Sequence, residues 1–319
     1  MLKVIELFGG IGAFSKALER LNIEHKIIDY VELDKNAVKS YNAIHNTNFE
    51  PQDVRCYDKD IECDIIMHGS PCVSFSVVGR QKGGDKGSGT QSSLLYESLR
   101  IIDKIRPKYV IWENVKNLLS QKHKHTHLDY LNRMNKMGYT NYVKVMCAKD
   151  YGIPQNRSRV FTISTTEPFM FPKPIILKKT LKDMLEDEVD SKYYIGDAKK
   201  EFICKNGSNG FFVNNDAKIN KIIARPLTTI QTGRAFETNY VSKDCGNEFI
   251  VTPNNVKSLN IRRLTPKECW RLMGFDDEDY ERAKKVNDKD VILYKQAGNS
   301  IVVNILEAII PNLIGGRYE

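Results

Sequence analysis

Short apolar runs alternate with amphipathic stretches over the first 165 residues. The runs predict strands at six places: residues 4–8, 27–31, 64–68, 109–112, 142–147 and 160–164. Between them lie two apolar faces with the i, i+3, i+4, i+7 spacing of a helix. These faces are formed by Phe14, Ala17, Leu18 and Leu21, and by Leu94, Leu95, Leu99, Ile102 and Ile105. Strands that alternate with helices predict an α/β fold with a mainly parallel sheet and helices on both faces.

The pattern changes beyond residue 172. Residues 173–262 have few long apolar runs, are rich in Lys, Asn, Gly and Thr, and predict a smaller, loop-rich domain. Residues 265–273 then predict a helix with Thr265 as its N-cap and Pro266 at its first position. Residues 301–310 predict an apolar helix that packs on the first domain. The predicted divisions are 1–172, 173–262, a hinge with helices at 263–289, and a returning segment at 290–319.

Composition indicates an ordinary globular chain. Of its 319 residues, 41% are hydrophobic and 28% are charged, and the absence of any run of 18 apolar residues predicts no membrane span. No signal-peptide core is present at the N-terminus. Seven scattered cysteines without a Cys-x-x-Cys pair predict reduced thiols in a cytoplasm and no zinc site. The net charge of +8 fits a polyanionic partner without requiring one.

Two polar segments stand out from this background. Residues 79–90 contain five glycines and no apolar residue, so 79–93 is interpreted either as a functional lid or as a disordered insertion. Residues 122–127 bring three histidines together among lysines. We interpret them as a solvated basic loop and predict no metal, because no acidic or cysteine ligand is near and the lysines repel a cation.

One cysteine has an unusual setting. The apolar run 64–68 ends, the chain turns through Gly-Ser-Pro, and Cys72 follows. Open α/β sheets bind ligands at this position, just beyond the carboxyl end of a strand. The sequence therefore predicts a nucleophilic thiol beside a ligand pocket.

A glycine turn after the first strand indicates a nucleotide-type ligand. Gly9, Gly10 and Gly12 follow Phe8. Gly10 and Gly12 match the first two glycines of the dinucleotide fingerprint, but no glycine occupies its third place. Glu32, at the end of the second strand, can accept hydrogen bonds from both ribose hydroxyls. Asp53 is expected near the end of a possible third strand, where it could accept from an adenine amino group. Together they favour an adenosine-containing cofactor, the alternative being solvated strand ends.

Further polar groups are predicted at the same edge of the sheet. Glu113 follows the strand at 109–112, so it and Cys72 can meet in one crevice. Arg157 and Arg159 alternate along the last predicted strand and share one side, where they can bind a phosphate or a carbonyl oxygen or form surface ion pairs. Residues 298–300 (Gly-Asn-Ser) are expected as a turn at the N-terminus of the final helix, offering amides to an anion or simply capping.

These motifs, in this order, resemble those of the DNA cytosine-C5 methyltransferases. The match covers nearly the whole chain outside 173–260, in the segments 8–12, 69–76, 113–115, 155–159, 263–275 and 296–300. The chain departs from the family pattern at Ala13, at Val73 and at 91–93, which bear on how the loop grips DNA. The resemblance implies a Rossmann-like class I methyltransferase sheet with a smaller, loop-rich target-recognition domain.

The resemblance also implies a mechanism and a set of site residues. Cys72 would add to C6 of cytosine, Glu113 would bond to N3, and Arg157 and Arg159 would contact the substrate, one at O2 and the other at a phosphate. S-adenosylmethionine is the implied cofactor, held by Phe8, Gly10, Gly12, Glu32, Leu33, Asp53, Pro71, Asn299 and Ser300. Contacts to the flipped-out base and its DNA are implied for Ser76, Gln81, Thr229 and Arg234.

The implied partner is double-stranded DNA. The protein is expected to act as a monomer in the cytoplasm of a bacterial or phage-infected cell, with a restriction endonuclease that acts separately. Three alternatives remain open at this point: a tRNA cytosine-C5 methyltransferase of the same fold, a dinucleotide-dependent oxidoreductase with a structural Cys72, and a DNA-binding protein without catalysis. Methylation assays on DNA and on tRNA separate the first alternative, and binding of NAD identifies the second.

Overall fold

A six-stranded sheet forms the centre of the fold. The computed structural model describes residues 1–71, 91–198, 200, 217–219, 223–227, 239–242, 249–251 and 258–315. The strands of the sheet are β1 (Leu2–Leu7), β2 (His25–Val31), β3 (Ile65–His68), β4 (Tyr109–Val115), β5 (Thr140–Cys147) and β6 (Ser158–Thr165). All six lie where the apolar runs predicted them.

The sheet is mixed rather than wholly parallel. Its order is β2-β1-β3-β4-β6-β5, and β1 to β4 pair in parallel. Strand β6 runs antiparallel to both β4 and β5. The reason is the connection: only residues 148–157 join β5 to β6, which is too short for the crossover that a parallel pair needs.

Helices cover both faces of the sheet, as predicted. They are α1 (Ala13–Arg20), α2 (Lys35–His45), α3 (Leu95–Ile105) and α4 (Lys124–Lys136). Alternate residues of β1 point to opposite faces, so Val4 joins a core with Phe14 of α1, whereas Ile5 joins a core with Leu99 of α3. The two apolar helix faces read from the sequence are therefore the ones that close the two sides of the sheet.

The second half of the chain adds short strands and a group of helices. The strands β7 (Ala217–Ile219) and β9 (Phe249–Val251) pair with each other, as do β8 (Tyr240–Ser242) and β10 (Ile261–Arg263). The helices are α5 (Pro266–Arg271), α6 (Asp277–Val286), α7 (Asp290–Asn299) and α8 (Val303–Ile314). Thr265 caps α5 in a capping box with Glu268, as the sequence predicted. Helix α8 packs on α1 of the first domain, also as expected.

The histidine segment is not a solvated loop, and that prediction was wrong. It forms the start of α4, with His123 only 1% and His127 only 5% exposed. The helical period turns His123, His127 and Tyr130 inward and leaves Lys124 and His125 in solvent. His127 Nε2 lies 3.0 Å from Thr162 Oγ1. No group of side chains suited to a metal occurs among the residues that the structure describes.

One described stretch, Asp290–Ile314, is long and apolar enough to cross a membrane by length and composition, although no such span was predicted. It consists of α7 and α8, separated at Ser300. Of its most apolar 18 residues, 61% are buried inside the protein. It is therefore packed as core helices of the fold.

Candidate active site

The glycine turn between β1 and α1 is shaped by close neighbours. Phe8, Gly10 and Gly12 have φ angles of 55°, 57° and 80°, the left-handed region that glycine adopts without strain. A Cβ on Gly12 would overlap the side chains of His45 and Tyr41, so a side chain there is excluded. At Gly10 nothing lies within 4 Å of such a Cβ. The outer side of the turn is thus open to a ligand.

Glu32 lies directly beside this turn. Its carboxylate accepts hydrogen bonds from Gly10 N at 3.2 Å and from Asp34 N at 2.8 Å, and burial raises its pKa. Next to it, Leu33 is 61% exposed although it is apolar. An open glycine turn, a carboxylate and an uncovered apolar side chain fit a ligand with a ribose and an aromatic base.

Asp53 does not end a strand, contrary to the prediction. It is the N-cap of a 3-10 helix, Val54–Cys56, because its short carboxylate accepts from Arg55 N at 3.0 Å. The Arg55 guanidinium also pairs with it and lowers its pKa. The bond from Gln52 N to Glu32 O, 2.9 Å long, nevertheless keeps this segment beside Glu32. Asp53 therefore follows a residue bonded to Glu32, and its carboxylate forms an ion pair with Arg55.

A buried polar cluster below the turn was missed at the sequence level. Glu6 is buried within β1 and accepts hydrogen bonds from Ser15 Oγ and from Tyr41 OH. Its desolvation raises its pKa. Tyr30 OH donates to Gly10 O at 2.6 Å, so the cluster holds the turn from underneath. The available signal was a lone acidic residue inside an apolar strand.

The segment that leads into Cys72 is anchored next to Glu113. After β3 ends at His68, Ser70 receives two hydrogen bonds: Trp112 Nε1 donates to its Oγ at 3.1 Å and Asn114 Nδ2 to its carbonyl oxygen at 3.2 Å. A Cβ on Gly69 would lie 3.8 Å from Glu113 Oε2. Pro71 is the last described residue of this segment. Other predicted site residues lie outside the described residues: Cys72, Ser76, Gln81, Thr229 and Arg234.

Glu113 and Arg159 form a pair at this edge of the sheet. Arg159 Nε lies 3.1 Å from Glu113 Oε1, because the β4–β6 register sets Arg159 opposite Val115, two residues along from Glu113. Burial raises the pKa of Glu113, and the charges of Arg159 and Arg157 oppose that rise. A carboxyl that holds its proton more readily than usual suits hydrogen-bond donation to a ring nitrogen.

Arg157 has a different set of partners. It directly precedes β6 and is 2% exposed. Its positive charge acts to lower the pKa of Glu113. Its Nη1 donates to Leu227 O at 2.9 Å, and its Nη2 donates to Gly298 O at 2.9 Å and to Ser300 O at 2.8 Å. The charges of both arginines therefore act on Glu113, and Arg159 forms an ion pair with it.

Residues 298–300 lie at the C-terminal end of α7. The sequence analysis had predicted a turn at the N-terminus of the final helix, so this prediction was wrong. Asn299 is the last residue of α7, and Ser300 is its C-cap. The helix continues through Gly298 because Leu293, Tyr294 and Ala297 form a buried face that extends to its end. Ser300 N donates to Gln296 O at 3.1 Å rather than facing an anion. Ile301 still borders the site, since its Cδ1 lies 3.8 Å from a Cβ placed on Gly69.

Comparison with known proteins gives a consistent result. The family model of C-5 cytosine-specific DNA methylases matches residues 2–315. The type II methyltransferase M.HhaI of Haemophilus parahaemolyticus is 32% identical, over 98% of this chain and 94% of its own length. The type II methyltransferase M2.ScrFI of Lactococcus lactis subsp. cremoris is 30% identical, over 98% and 99%.

Solved structures agree at the level of the fold. The Entamoeba histolytica methyltransferase EhMeth superposes with a TM-score of 0.77 at 19% identity, covering 100% of this chain and 99% of its own. The S. pombe Dnmt2 methyltransferase gives a TM-score of 0.76 at 21% identity, covering 99% of both chains. The chain therefore belongs to the C-5 cytosine-specific DNA methylase family and is a DNA (cytosine-5-)-methyltransferase that uses S-adenosylmethionine.

Proposed function

We propose that this enzyme methylates a cytosine flipped out of a specific double-stranded DNA sequence, through a transient bond between Cys72 Sγ and C6 of the ring. The observation that carries the proposal is the pair of Glu113 and Arg159 beside the anchored segment 69–71. A proton donor and a cation thereby lie at the point where the chain leads into its thiol. The family's reaction supplies the substrate for that arrangement.

The proposed chemistry starts with the thiolate, since C5 of cytosine alone is a poor nucleophile. Cys72 Sγ adds to C6, the electrons of the C5–C6 double bond move into the ring, and Glu113 gives a proton to N3. Arg159 relieves negative charge at O2. C5 would then take the methyl group that the cofactor supplies, as the bond from that methyl group to the sulfonium sulfur breaks and a neutral thioether leaves. A base removes the C5 proton, the double bond re-forms as the S–C6 bond breaks, and Glu113 recovers its proton.

The four cysteines that the structure describes are poorly suited to this role. Burial raises the pKa of Cys63 to about 12 and raises that of Cys269 well above its usual value. A thiol must ionise to act as a nucleophile. Cys147 is also buried, and Cys56 is exposed but lies in the 3-10 helix Val54–Cys56. The proposal therefore rests on Cys72 as the only thiol whose sequence position follows the anchored segment.

The residues that would hold S-adenosylmethionine surround the glycine turn. When bound, this cofactor supplies an electrophilic methyl group on a sulfonium. Glu32 would accept from the ribose, and Phe8 and Leu33 would contact the adenine, with Asp53 next to them. Gly10 and Gly12 allow close approach of the ligand to the backbone. We assign Pro71, Asn299 and Ser300 to the edge of the same site.

We assign recognition of DNA to the segment that follows Cys72 and to residues 173–262. A stacked cytosine must leave the duplex before a thiol can reach it, so the 79–93 loop would close over it and fill the gap. Gln81 of this loop and Ser76, which precedes the loop, would reach into the stack. The target-recognition domain would be 173–262, with Thr229 near the flipped base and Arg234 reading guanine. Residues 1–172, 263–289 and 290–319 would be the catalytic domain, the hinge and the returning segment.

We further propose that the protein acts as a monomer, with a restriction endonuclease that works separately in the cytoplasm of a bacterial or phage-infected cell. The type II names of its relatives support the separate endonuclease. Expression of the chain followed by bisulfite sequencing of the cellular DNA gives the target sequence. Parallel assays on purified DNA and on a tRNA transcript test the choice of substrate.

The direct test of the nucleophile is Cys72→Ser. We expect methyl transfer from labelled cofactor to fall to background while affinity for target DNA is kept, because a hydroxyl does not ionise as a thiol does. Cys56→Ser is the matched control, since Cys56 is exposed and free, and it should retain full activity. Full activity in Cys72→Ser would contradict covalent catalysis by this residue.

A further inference from the structure

A single backbone position, Leu227, is held from both sides by one short segment. The side chain of Gln155 accepts from Leu227 N at 3.0 Å, and Arg157 Nη1 donates to Leu227 O at 2.9 Å. Backbone bonds continue the contact, since Asn156 N donates to Ala224 O at 2.8 Å and Ala224 N donates to Pro154 O at 2.7 Å. We name Gln155, Arg157 and their bonds to Leu227 the 227 clamp.

The clamp also reaches the C-terminal part of the chain. Gln155 Nε2 donates to Leu272 O at 2.7 Å, just after α5, and Arg157 Nη2 donates to Gly298 O and Ser300 O. Gln155 is fully buried and Arg157 is 2% exposed. Two buried side chains therefore join the start of β6, the segment 224–227 and the end of α7. Buried polar groups of this kind fix geometry because leaving them unsatisfied is costly.

The sequence gives this connection a functional meaning. Leu227 lies directly before the segment 228–234, which holds Thr229 and Arg234. Two residues after Arg157, Arg159 pairs with Glu113 at 3.1 Å. The clamp thus connects two segments that are 70 residues apart in the chain, one ending two residues before Arg159 and the other ending directly before the proposed recognition segment.

We infer that Gln155 and Arg157 are positioning residues that fix the 224–227 segment relative to Glu113 and Arg159, and so couple recognition of the DNA sequence to methyl transfer. This inference rests on the proposed function. It gives the two arginines different roles: Arg159 would face the cytosine, whereas both terminal nitrogens of Arg157 donate to backbone carbonyls. A contact of these terminal nitrogens with substrate would compete with those bonds.

The first test is Arg157→Lys, which keeps the charge near Glu113 but cannot reach three carbonyls at once. Misplacement of a reacting group by about 1 Å can cost about 100-fold in rate, so we expect kcat to fall roughly 10- to 100-fold. The KM for S-adenosylmethionine should stay within about twofold, and bisulfite sequencing should show methylation spreading to sites that differ from the target at one position. Gln155→Asn, whose shorter amide cannot span Leu227 and Leu272, should show the same pattern.

A variant that combines Arg157→Lys with Gln155→Asn tests whether the two side chains act together through Leu227 or independently. Because both side chains hold Leu227, their effects on kcat should be less than additive. Arg20→Lys is the control, since Arg20 is a partly buried arginine that pairs with Asp276 and Glu307 and belongs neither to the proposed site nor to the proposed recognition domain. It should lower the melting temperature and leave the pattern of methylated sites unchanged.

A charge-removing variant distinguishes positioning from contact with a phosphate. Loss of one phosphate contact lowers the slope of log Kd against log salt by about 0.9. For Arg157→Gln we expect an unchanged slope, and a slope reduced by that amount would overturn the inference. Unchanged kcat and unchanged site preference in both Arg157→Lys and Gln155→Asn would also overturn it. Failure of the wild-type chain to methylate DNA in the same assay would instead contradict the proposed function.

Discussion

Two carboxyls, Glu6 buried and Glu113 partly buried, show at the residue scale how neighbouring groups determine what a carboxyl can do. Burial raises the pKa of both Glu6 and Glu113. Glu6 is enclosed by the hydroxyls of Ser15 and Tyr41, which hold it in place below the glycine turn. Glu113 instead meets Arg159 at the edge of the sheet, where a substrate ring can approach. A raised pKa therefore accompanies a structural contact at Glu6, whereas at Glu113 it suits the proton donation that we propose.

Glu113→Gln tests proton donation directly. Loss of a general acid typically costs about 100- to 10,000-fold in rate, so kcat should fall by that order while DNA affinity is kept. In the wild type, kcat should decline as pH rises through the raised pKa of Glu113, because the donor loses its proton. The variant should lack that decline. A kcat within about threefold of wild type would exclude this role.

The same group affects stability with a defined sign. Because its folded pKa is raised, Glu113 contributes most to stability below its unfolded pKa of about 4.3, and that contribution is lost as pH rises through the folded pKa. Urea unfolding of wild type and Glu113→Gln across this range should show their difference in unfolding free energy shrinking or changing sign with rising pH.

Gly10 and Gly12 form a matched pair for the glycine turn. Both have positive φ angles, which cost about 1–2 kcal/mol for a residue with a side chain. Gly12→Ala should lose more than this in unfolding free energy, since its Cβ would meet His45 and Tyr41. Gly10→Ala should lose only the backbone cost but weaken binding of S-adenosylmethionine, measured by calorimetry. Equal stability losses in the two variants would contradict the described packing.

At the scale of elements, the apolar pattern correctly predicted the features that depend on nearby residues in the sequence. The six strands, the faces of α1 and α3, and the capped start of α5 lie where the sequence placed them. The direction of β6 was not predicted, because it depends on which strand pairs with it rather than on its own residues. The end of α7 at Asn299 was missed for a similar reason, since burial carries the helix through Gly298.

The junction between β10 and α5 offers a prediction at this scale. Arg262 pairs with Glu268, both side chains being at most 2% exposed, and Glu268 also accepts from Thr265 N. Glu268→Ala leaves a buried arginine uncompensated, so unfolding should become easier by roughly 3–5 kcal/mol. The control is Lys267→Ala on the same helix, whose partner Glu281 is partly exposed, with an expected loss below about 1 kcal/mol. Chemical denaturation compares them, and equal losses would contradict the importance of the buried pair.

In the whole molecule, the site is assembled from segments far apart in the sequence. Gly69, Glu113, Arg157, Leu227 and Ser300 belong to five such segments, joined at the carboxyl edge of the sheet. The returning helix α8 packs on α1, so the chain closes on the domain where it began. The sequence predicted strand positions for Glu113 and Arg159, and the pairing of β4 with β6 brings the two side chains together. The sequence could not predict the bonds to Leu227, which depend on tertiary contacts alone.

The central claim is the bond between Cys72 and cytosine, and trapping measures it most directly. DNA that carries 5-fluorocytosine at the target position lacks the C5 proton whose removal frees the enzyme, so the adduct should survive denaturation. Peptide mass spectrometry is expected to locate methylated DNA on Cys72. An adduct on Cys56 or Cys63, or no adduct while ordinary DNA is methylated at C5, would contradict the account.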